Sequence, residues 1–292
     1  MLMKMAGNIE YGQSNNKRLP PWMKKSVKDL RSHDVKRLLR KGNLHTVCES
    51  AKCPNIFECF SKPTATFMIL GNVCTRHCGF CAVLKGKPLP LNSLEPEEIA
   101  KAAEEMKLKH VVITSVTRDD LEDGGAKQFA LTIDAIREIN PDISIEILTP
   151  DFDPRKVLER SKPDIFNHNV ETVPRLYSKV RPQSEYKKSL QLLDTVKKVA
   201  PEVVTKSGIM AGLGEEFEEV IDVMRDLRDI GCDAITIGQY LQPSKNHLIV
   251  EKFIYPEVFK QYKEIGDQLG FKYTASAPFV RSSYNAEQLG RN

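Results

Sequence analysis

Several features that define common protein classes are absent from this chain of 292 residues. No apolar run approaches the ~20 residues that a membrane-spanning helix requires. Seven cysteines are too few for a disulfide scaffold, and no apolar signal-peptide core precedes them. The chain contains neither a nucleophile elbow nor a convincing Ser/His/Asp set, and its glycine-rich stretch 206–215 lacks the Gly-Lys-Ser/Thr ending of a P-loop. These absences argue against a membrane protein, a disulfide-rich secreted domain, an elbow-type hydrolase and a P-loop nucleoside triphosphatase.

The composition is that of an ordinary globular enzyme. Hydrophobic residues make up 41% of the chain and charged residues 28%, and there is no internal repeat or low-complexity tract. A single domain of the (β/α) barrel type commonly has this length. Free or metal-bound cysteines in place of disulfides indicate a reducing compartment, so we expect a cytoplasmic protein.

Six of the seven cysteines lie within residues 48–81, in two groups of three. The first group reads Cys48-x4-Cys53-x5-Cys59, and the second reads Cys74-x3-Cys78-x2-Cys81. Closely spaced thiolates are soft ligands that suit a metal ion or an iron–sulfur cluster. Structural zinc is the simpler alternative, but zinc usually takes four ligands, so His77 would have to complete one of the groups.

The second group resembles the cysteine motif of the radical S-adenosylmethionine (SAM) enzymes. Three cysteines hold three irons of a cubane and leave the fourth iron without a protein ligand. The resemblance implies that Cys74, Cys78 and Cys81 are catalytic ligands of a [4Fe-4S] cluster, with Phe80 beside the cofactor. The open iron then binds the amino and carboxylate groups of SAM, and an electron from the cluster cleaves SAM to a 5′-deoxyadenosyl radical. A saturated C–H bond is too weakly acidic for a side-chain base, so radical chemistry carried by a cofactor is the physical alternative.

The first group and the C-terminal segment together resemble lipoyl synthase, from about Leu19 to the end of the chain. The matching stretches are Cys48-Glu49-Ser50-Ala51-Lys52-Cys53-Pro54-Asn55 and Arg281-Ser282-Ser283-Tyr284-Asn285-Ala286. The resemblance implies a second, auxiliary [4Fe-4S] cluster held by Cys48, Cys53, Cys59 and Ser283. Ala277 and Ile249 stand where that family commonly has glycine and proline, which leaves the details of the substrate tunnel open.

The resemblance also implies a reaction. Two molecules of SAM would allow radical insertion of two sulfur atoms, at C6 and C8 of a protein-bound octanoyl-lysine, with the auxiliary cluster consumed as the sulfur donor. A hard serine oxygen is mismatched beside soft thiolates, so we hypothesise that the Ser283-bound iron is released during this reaction. The expected partners are octanoylated lipoyl domains of 2-oxoacid dehydrogenases, the glycine-cleavage H protein, and an electron donor such as ferredoxin or flavodoxin. A sulfur-inserting enzyme of the biotin synthase type, a non-catalytic zinc module and an inactive family member are the alternatives.

From Thr64 onward the sequence alternates between apolar runs and amphipathic stretches, which predicts a parallel α/β sheet. We count six βα units and predict a partial (β/α)6 TIM-type barrel over residues 61–270. Extensions 1–60 and 271–292 would carry the auxiliary cluster. The expected strands are Thr66–Gly71, His110–Ser115, Ser144–Thr149, Ile165–Glu171, Val203–Met210 and Ala234–Gln239. Helices are expected at 97–107, around Phe129–Ile136, and at 154–160, 184–199 and 215–229.

The remaining candidate site residues follow predicted strands, whose carboxyl ends form the active face of such barrels. Gly124 and Gly125 resemble the glycine segment of the radical SAM family, although a plain turn is the alternative. Asn169 and Glu171 suit SAM contacts, against a solvated strand end. Arg181 suits the SAM carboxylate because guanidinium pairs well with carboxylate, against a surface ion pair.

The N-terminal 41 residues hold eleven Lys and Arg against three acidic residues, whereas the whole chain carries only +4. A basic helix over residues 26–40 would be either a solvated face or a steering surface for an acidic protein. We expect Pro20-Pro21-Trp22 to attach this segment to the body of the protein, and residues 1–18 to be disordered. No known module supports nucleic-acid binding, and we expect a monomer that does not contact a membrane.

Overall fold

The structure is a computed structural model that describes residues 12–13, 19–24, 37, 39–40, 42, 44–61 and 66–283. Most of the predicted helix 26–40, the whole of the predicted disordered segment 1–18 except residues 12–13, and residues 284–292 lie outside this range. The described strands are β1 (Gly12–Gln13), β2 (His45–Thr46), β3 (Thr66–Ile69), β4 (Val73–Cys74), β5 (Leu84–Lys85), β6 (His110–Ser115), β7 (Ser144–Leu148), β8 (Ile165–Asn167), β9 (Val204–Ala211), β10 (Ala234–Gln239), β11 (Lys252–Phe253) and β12 (Tyr273–Ser276). The described α-helices are Val47–Ser50, Ile56–Ser61, Glu95–Glu105, Ala126–Ile139, Arg155–Leu158, Tyr177–Val180, Tyr186–Val199, Phe217–Asp229 and Pro256–Gln268. None of them is long and apolar enough to cross a membrane.

One eight-stranded sheet carries the fold, in the order β12-β10-β9-β8-β7-β6-β3-β2. Strands β3, β6, β7, β8, β9, β10 and β12 run parallel, and only β2 at one edge is antiparallel. Consecutive parallel strands are neighbours throughout, and the two edge strands do not pair with each other within the described residues. The predicted α/β architecture, a partial TIM-type barrel, is therefore confirmed.

The helices between the strands form because each presents an apolar stripe to the sheet. The helix Phe217–Asp229 buries Val220, Ile221, Met224 and Leu227, which recur at helical spacing and form one apolar stripe. Glu216 and Glu219 form a capping box that satisfies its first backbone N–H groups. The opposite face of this helix carries Glu, Asp and Arg and remains in solvent.

Three strands end before their predicted limits. Strand β7 stops at Leu148, one residue short, and backbone conformation explains the other two. Leu70 and Gly71 have positive φ angles of 68° and 88°, so β3 stops at Ile69 and the chain turns toward the second cysteine group. Glu171 also has φ 68°, so the strand predicted over 165–171 ends at Asn167. After Asn167, the chain pairs with β9 again at an isolated parallel bridge between Glu171 and Ile209. A non-glycine residue at positive φ is uncommon and marks a functional or strained position.

The six predicted βα units omit the last helix and strand of the sheet. Helix Pro256–Gln268 packs against β12, which pairs with β10. Strand β12 reads Tyr-Thr-Ala-Ser and lacks the apolar run that predicts a buried strand, so its sequence gives no clear signal. At the other end of the chain, the ring of Trp22 lies 4.6 Å from the ring of Tyr255, and Met23 is buried. The predicted attachment of this segment to the body is therefore confirmed.

Candidate active site

A cavity of about 950 Å³ lies at the carboxyl ends of the parallel strands. Five of the six clustered cysteines line it: Cys48, Cys53, Cys74, Cys78 and Cys81. Strand ends contribute Thr114, Leu148, Asn169, Met210 and Gln239, and the C-terminal segment contributes Arg281, Ser282 and Ser283. The structure therefore brings most of both cysteine groups and the serine motif to one space.

The second cysteine group follows β3 in a loop that close backbone contacts hold in place. Cys74 ends β4, and its sulfur accepts hydrogen bonds from the backbone N–H groups of Arg76 (3.5 Å) and Thr117 (3.4 Å). A Cβ atom on Gly79 would lie 2.9 Å from Cγ of Leu248, closer than real Cβ contacts. Gly79 N–H donates to the carbonyl of Val180, and its carbonyl accepts from Leu248 N–H. A glycine at position 79 therefore allows the loop to pack this closely against Leu248.

Burial favours the protonated form of two thiols of this group, Cys78 and Cys81, when no metal is bound. It raises the pKa of Cys81 to about 11 and also raises the pKa of Cys78, which the nearby Arg181 partly offsets. Only thiolate binds iron, so loading a cluster must release these protons. A coordinated metal ion provides the positive charge that this deprotonation requires.

The first cysteine group is built on two short helices. Thr46 caps the helix Val47–Ser50, which carries Cys48, and the backbone N–H of Cys53 donates to the carbonyl of Cys48. Cys59 lies in the helix Ile56–Ser61 and packs against the core, outside the lining of the cavity. Burial, followed by the charges of Cys53 and Cys59, raises the pKa of Cys48 to about 12. The three sulfur atoms are therefore close enough to interact electrostatically.

The donor atoms fit clusters better than a single metal ion. Within the described residues, no three His, Cys, Asp or Glu side chains group closely enough to hold one ion. The ligands of a cubane bind different iron atoms and therefore need not converge on one point. His77, which the zinc alternative requires, is exposed and is absent from the cavity lining.

The C-terminal segment reaches the cavity across the ends of β9 and β10. The side-chain nitrogen of Asn55 donates to the carbonyl of Phe279 at 2.7 Å, which ties this segment to the loop after Cys53. Ser282 Oγ lies 2.7 Å from Nδ2 and 2.9 Å from Oδ1 of Asn169. Ser283 thereby lies on the cavity wall with Cys48 and Cys53.

Asn169, Glu171 and Arg181 come together at the cavity, next to Ser282. Asn169 Nδ2 donates to Glu171 Oε1 at 3.1 Å, and Arg181 Nη1 donates to the carbonyl of Asn169 at 2.9 Å. Burial raises the pKa of Glu171, and the positive charge of Arg181 opposes that rise. All three residues are at the cavity. The alternative of a surface ion pair for Arg181 is wrong, because its side chain is only 9% exposed and approaches the carboxylate of Asp151.

Phe80 lines the cavity, but Gly124 and Gly125 do not. Both glycines have positive φ and lead into the helix Ala126–Ile139. A Cβ atom on Gly125 would collide with Leu70, so close packing at this turn requires glycine. Their contact with SAM stays a prediction. Cys232, the one cysteine outside the two groups, is fully buried.

Asp151 and His247 are two residues of this site that the sequence did not single out. Asp151 accepts hydrogen bonds from Arg76 and from Ser184 (2.9 Å), and His168 Nε2 lies 3.3 Å away. Burial by itself would raise the pKa of Asp151, but the contact with His168 and the charges of Arg181 and Arg76 outweigh burial and lower it. His247 Nε2 lies 3.0 Å from the carbonyl of Cys81. Neither residue belongs to a recognisable motif, and only the position of Asp151 after β7 could have pointed to it.

The fold and the cysteine loop define a class of enzyme, and comparison with known proteins agrees with it. The model of the Radical SAM superfamily matches residues 68–227. Streptococcus suis SuiB bound to S-adenosylmethionine has a TM-score of 0.58 at 13% identity, covering 76% of this chain and 53% of that one. HydG from Carboxydothermus hydrogenoformans has a TM-score of 0.54 at 16% identity, covering 88% of this chain and 76% of that one. These two structures share the fold, and the chain is a radical SAM enzyme.

Comparison with more similar proteins identifies the family within the radical SAM enzymes. A model of the N-terminal domain of lipoyl synthase matches residues 2–53. Lipoyl synthase of Caldanaerobacter subterraneus subsp. tengcongensis is 54% identical over 274 residues, 92% of this chain and 96% of that protein. Lipoyl synthase of Vibrio campbellii is 52% identical over 287 residues, 96% of this chain and 89% of that protein. The chain belongs to the lipoyl synthase family. It is a sulfur-inserting enzyme that uses SAM and a [4Fe-4S] cluster and acts on a lipoyl protein.

Proposed function

We propose that this enzyme inserts two sulfur atoms, at C6 and C8 of an octanoyl-lysine on a carrier protein, and so produces the lipoyl cofactor. One observation carries the proposal: five cysteines from two separate groups line the same cavity as Ser283. Binding and cleaving SAM would need only the second group. The first group and Ser283 are therefore the features that require a second cluster.

Cys74, Cys78 and Cys81 would hold the cluster that binds SAM. When bound, this cluster supplies the electron that cleaves SAM and so allows a hydrogen atom to be removed from an unactivated carbon. Asn169, Glu171 and Arg181 would orient SAM, because they form one polar group in the cavity that Cys78 lines, and the charges of Arg181 and Glu171 act on Cys78. Phe80 would pack beside the cofactor. We assign Gly124 and Gly125 to shaping the turn before the helix Ala126–Ile139.

Cys48, Cys53, Cys59 and Ser283 would hold the auxiliary [4Fe-4S] cluster, which serves as a substrate. For each sulfur atom, one SAM and one electron from the donor are consumed and one C–H bond is broken. Its hydrogen atom leaves in 5′-deoxyadenosine, and the carbon forms a bond to a sulfide of the auxiliary cluster. Electron balance then requires that iron of this cluster take up one electron per C–S bond.

The cavity also suits the acyl chain. Its volume of about 950 Å³ is at the upper end of the range for ligand pockets. Apolar side chains on its wall include Val47, Met68, Val83 and Ile249, and Ile249 is 58% exposed. An octanoyl chain can therefore enter along an apolar surface while SAM occupies the polar wall. Residues 239–243, at and after the end of β10, also line this cavity.

The carriers we propose are octanoylated lipoyl domains of 2-oxoacid dehydrogenases and the glycine-cleavage H protein. Ferredoxin or flavodoxin would donate the electrons. We propose that the enzyme acts as a monomer in the cytoplasm, where its seven free thiols would stay reduced.

Metal analysis tests the proposal directly. Iron, acid-labile sulfide and zinc are measured per chain after anaerobic reconstitution, first for the unmodified chain and then for the triple variant Cys48→Ala, Cys53→Ala, Cys59→Ala. We expect two clusters in the former and one in the latter, and dithiolated product from an octanoyl-lysine peptide and SAM only in the former. The buried Cys232 provides the matched control, because Cys232→Ala removes a thiol far from both groups and should keep both clusters. A single cluster in the unmodified chain, or zinc with little sulfide, would contradict the proposal.

A further inference from the structure

Ser282 is held by a side chain from the SAM side of the cavity. Its Oγ lies 2.7 Å from Nδ2 and 2.9 Å from Oδ1 of Asn169, 113 positions earlier in the chain. The hydroxyl can therefore accept from the amide nitrogen and donate to the amide oxygen. Because Ser282 precedes Ser283 directly, this contact fixes the backbone next to the proposed iron ligand.

Two glycines on neighbouring strands allow the segment to approach this closely. A Cβ atom on Gly208 in β9 would lie 2.7 Å from Asn169 Oδ1 and 3.0 Å from Ser282 Oγ. A Cβ atom on Gly238 in β10 would overlap the carbonyl oxygen of Val280. Any larger residue at these two positions would push the segment away from the strand ends.

Backbone hydrogen bonds hold the earlier part of the segment but not its end. Gln239 N–H donates to the carbonyl of Pro278 at 3.2 Å, and Ala277 N–H donates to the carbonyl of Ile237 at 3.2 Å. Residues 281–283 also bond to the rest of the protein. Within the described residues, those bonds are the two between Ser282 and Asn169. Asn169 is therefore the residue whose loss should free Ser283.

We propose that Asn169 is a positioning residue that, through Ser282, places Ser283 at the auxiliary cysteine group. The inference rests on the proposed function, since it assumes that Ser283 binds an auxiliary cluster. Asn169 also contacts Glu171 and accepts from Arg181 at its carbonyl. Asn169 thus links the proposed SAM contacts Glu171 and Arg181 to the segment that carries Ser283.

The test removes only the hydroxyl of Ser282. Ser282→Ala loses the contact with Asn169, while Ser282→Thr keeps a hydroxyl and should restore it. Ser276→Ala is the matched control, because its buried Oγ has no hydrogen-bond partner among the described residues. Asn169→Ala provides a second route to the same loss. The full-length chain is used throughout.

Two measurements show how Ser282→Ala affects the docking of the segment and the stability of the auxiliary cluster. In the metal-free protein, hydrogen–deuterium exchange at the amides of Gln239 and Ala277, which bond across to the segment and to β10 respectively, reports whether the segment stays docked. In the reconstituted protein, the rate of iron release to a chelator is measured, and each cluster should give one kinetic phase. The variant that lacks Cys48, Cys53 and Cys59 should lose the phase of the auxiliary cluster and so identifies it. Loss of a residue that orients a metal ligand typically weakens metal binding about 10-fold to 100-fold. We expect Ser282→Ala to accelerate release from the auxiliary cluster about 10-fold and to leave the other phase unchanged.

The outcomes separate this inference from the proposed function. Faster exchange and faster auxiliary release in Ser282→Ala, restored by Ser282→Thr and absent in Ser276→Ala, support it. Two clusters in the unmodified chain with unchanged auxiliary release in Ser282→Ala overturn the inference and leave the proposed function standing. One cluster in the unmodified chain overturns both. Equal acceleration of both phases also overturns it, because that result indicates general destabilisation.

Discussion

The guanidinium of Arg76 donates to both carboxylate oxygens of Asp119, 43 positions further along the chain. The hydrogen bond from Arg76 lowers the pKa of Asp119 below its ordinary value. The same guanidinium reaches Asp151, and its Nη1 donates to Ser184 Oγ at 3.1 Å. One residue of the second cysteine group's loop is therefore attached to three other loops, after β6, after β7 and before the helix Tyr186–Val199.

We predict that Arg76→Lys weakens iron binding by the second cysteine group. A single ammonium group cannot make the paired hydrogen bonds of a guanidinium to Asp119 and still reach Asp151. The loop then loses its attachment, and iron release from the SAM-binding cluster should become about 10-fold faster. The electron paramagnetic resonance signal of the reduced cluster should also change.

The control for this prediction is Arg155→Lys. Arg155 makes a similar paired contact with Asp153, Nε to Oδ1 at 2.9 Å and Nη2 to Oδ2 at 2.7 Å, but it is exposed and absent from the cavity lining. Iron release should be unchanged in this variant. Equal release rates for Arg76→Lys and the unmodified chain would mean that the attachment does not position the cluster loop.

Replacing Ser283 with cysteine should produce a cluster that forms well and gives up sulfur poorly. Thiolate is a softer ligand than a serine oxygen and matches the other three ligands, so its iron should be released more slowly. We expect two clusters per chain in Ser283→Cys and at least about 10-fold slower formation of dithiolated product, by the scale of ligand-tuning effects. Cleavage of SAM to 5′-deoxyadenosine should continue. Normal yields of dithiolated product would contradict the role assigned to the serine oxygen.

The parts of this site that the sequence predicts are the parts carried by local spacing. The two cysteine groups and Ser283 belong to short motifs, and β6 and β10 have the bounds that their apolar runs predict. Contacts between distant side chains have no such signal. Asn169 meets Ser282 only because β8 and β9 are neighbours and Gly208 leaves room, and nothing near Asp151 in the sequence indicates that Arg76 will reach it.

Tertiary structure also overrides local pattern at the strand ends. The apolar stretch Thr66–Gly71 reads as one strand, yet Leu70 turns to positive φ, and the backbone N–H of Leu70 donates to Glu95 Oε2 at 3.0 Å. The polar strand β12 forms because β10 offers it an unpaired edge, and its own residues have no apolar alternation. Sequence reasoning finds the scaffold and the ligands, and the fold supplies the residues that orient them.

Lys206 and Glu146 form an ion pair in the interior of the sheet, and breaking it should destabilise the protein strongly. Lys206 Nζ lies 3.0 Å from both oxygens of Glu146, and the two side chains are 1% and 0% exposed. Removing one partner of a buried pair leaves an uncompensated charge, which typically costs about 3–5 kcal/mol. We therefore expect Lys206→Met to lower the free energy of unfolding by this amount, measured by urea denaturation.

The double variant Lys206→Met, Glu146→Gln should recover part of that loss. It removes the second charge, and the amide oxygen of the new Gln can still accept from Asn167 Nδ2, which donates to Glu146 at 2.8 Å. A double variant no more stable than Lys206→Met would indicate that lost packing, and not the unpaired charge, dominates.

Asp233 connects the start of β10 to its neighbours and should make stability depend on pH. Its carboxylate accepts from Lys197 Nζ, from Lys272 Nζ and from the backbone N–H of Thr205, each at 2.9 Å. Burial by itself would raise the pKa of Asp233, but these donors outweigh burial and lower it below the ordinary value of 3.8.

A carboxyl group whose pKa is lower in the folded chain stabilises the fold above its unfolded pKa, and this contribution disappears as the pH falls through the folded pKa. Asp233→Asn should therefore lower the free energy of unfolding at pH 7 by about 1–3 kcal/mol, the cost of losing charge-assisted hydrogen bonds. The difference from the unmodified chain should hold constant down to about pH 5 and shrink below about pH 4. The exposed Asp142→Asn should change stability by less than about 0.5 kcal/mol at every pH. A difference that persists undiminished at the lowest pH where the protein is folded would mean that Asp233 acts through its shape and not its charge.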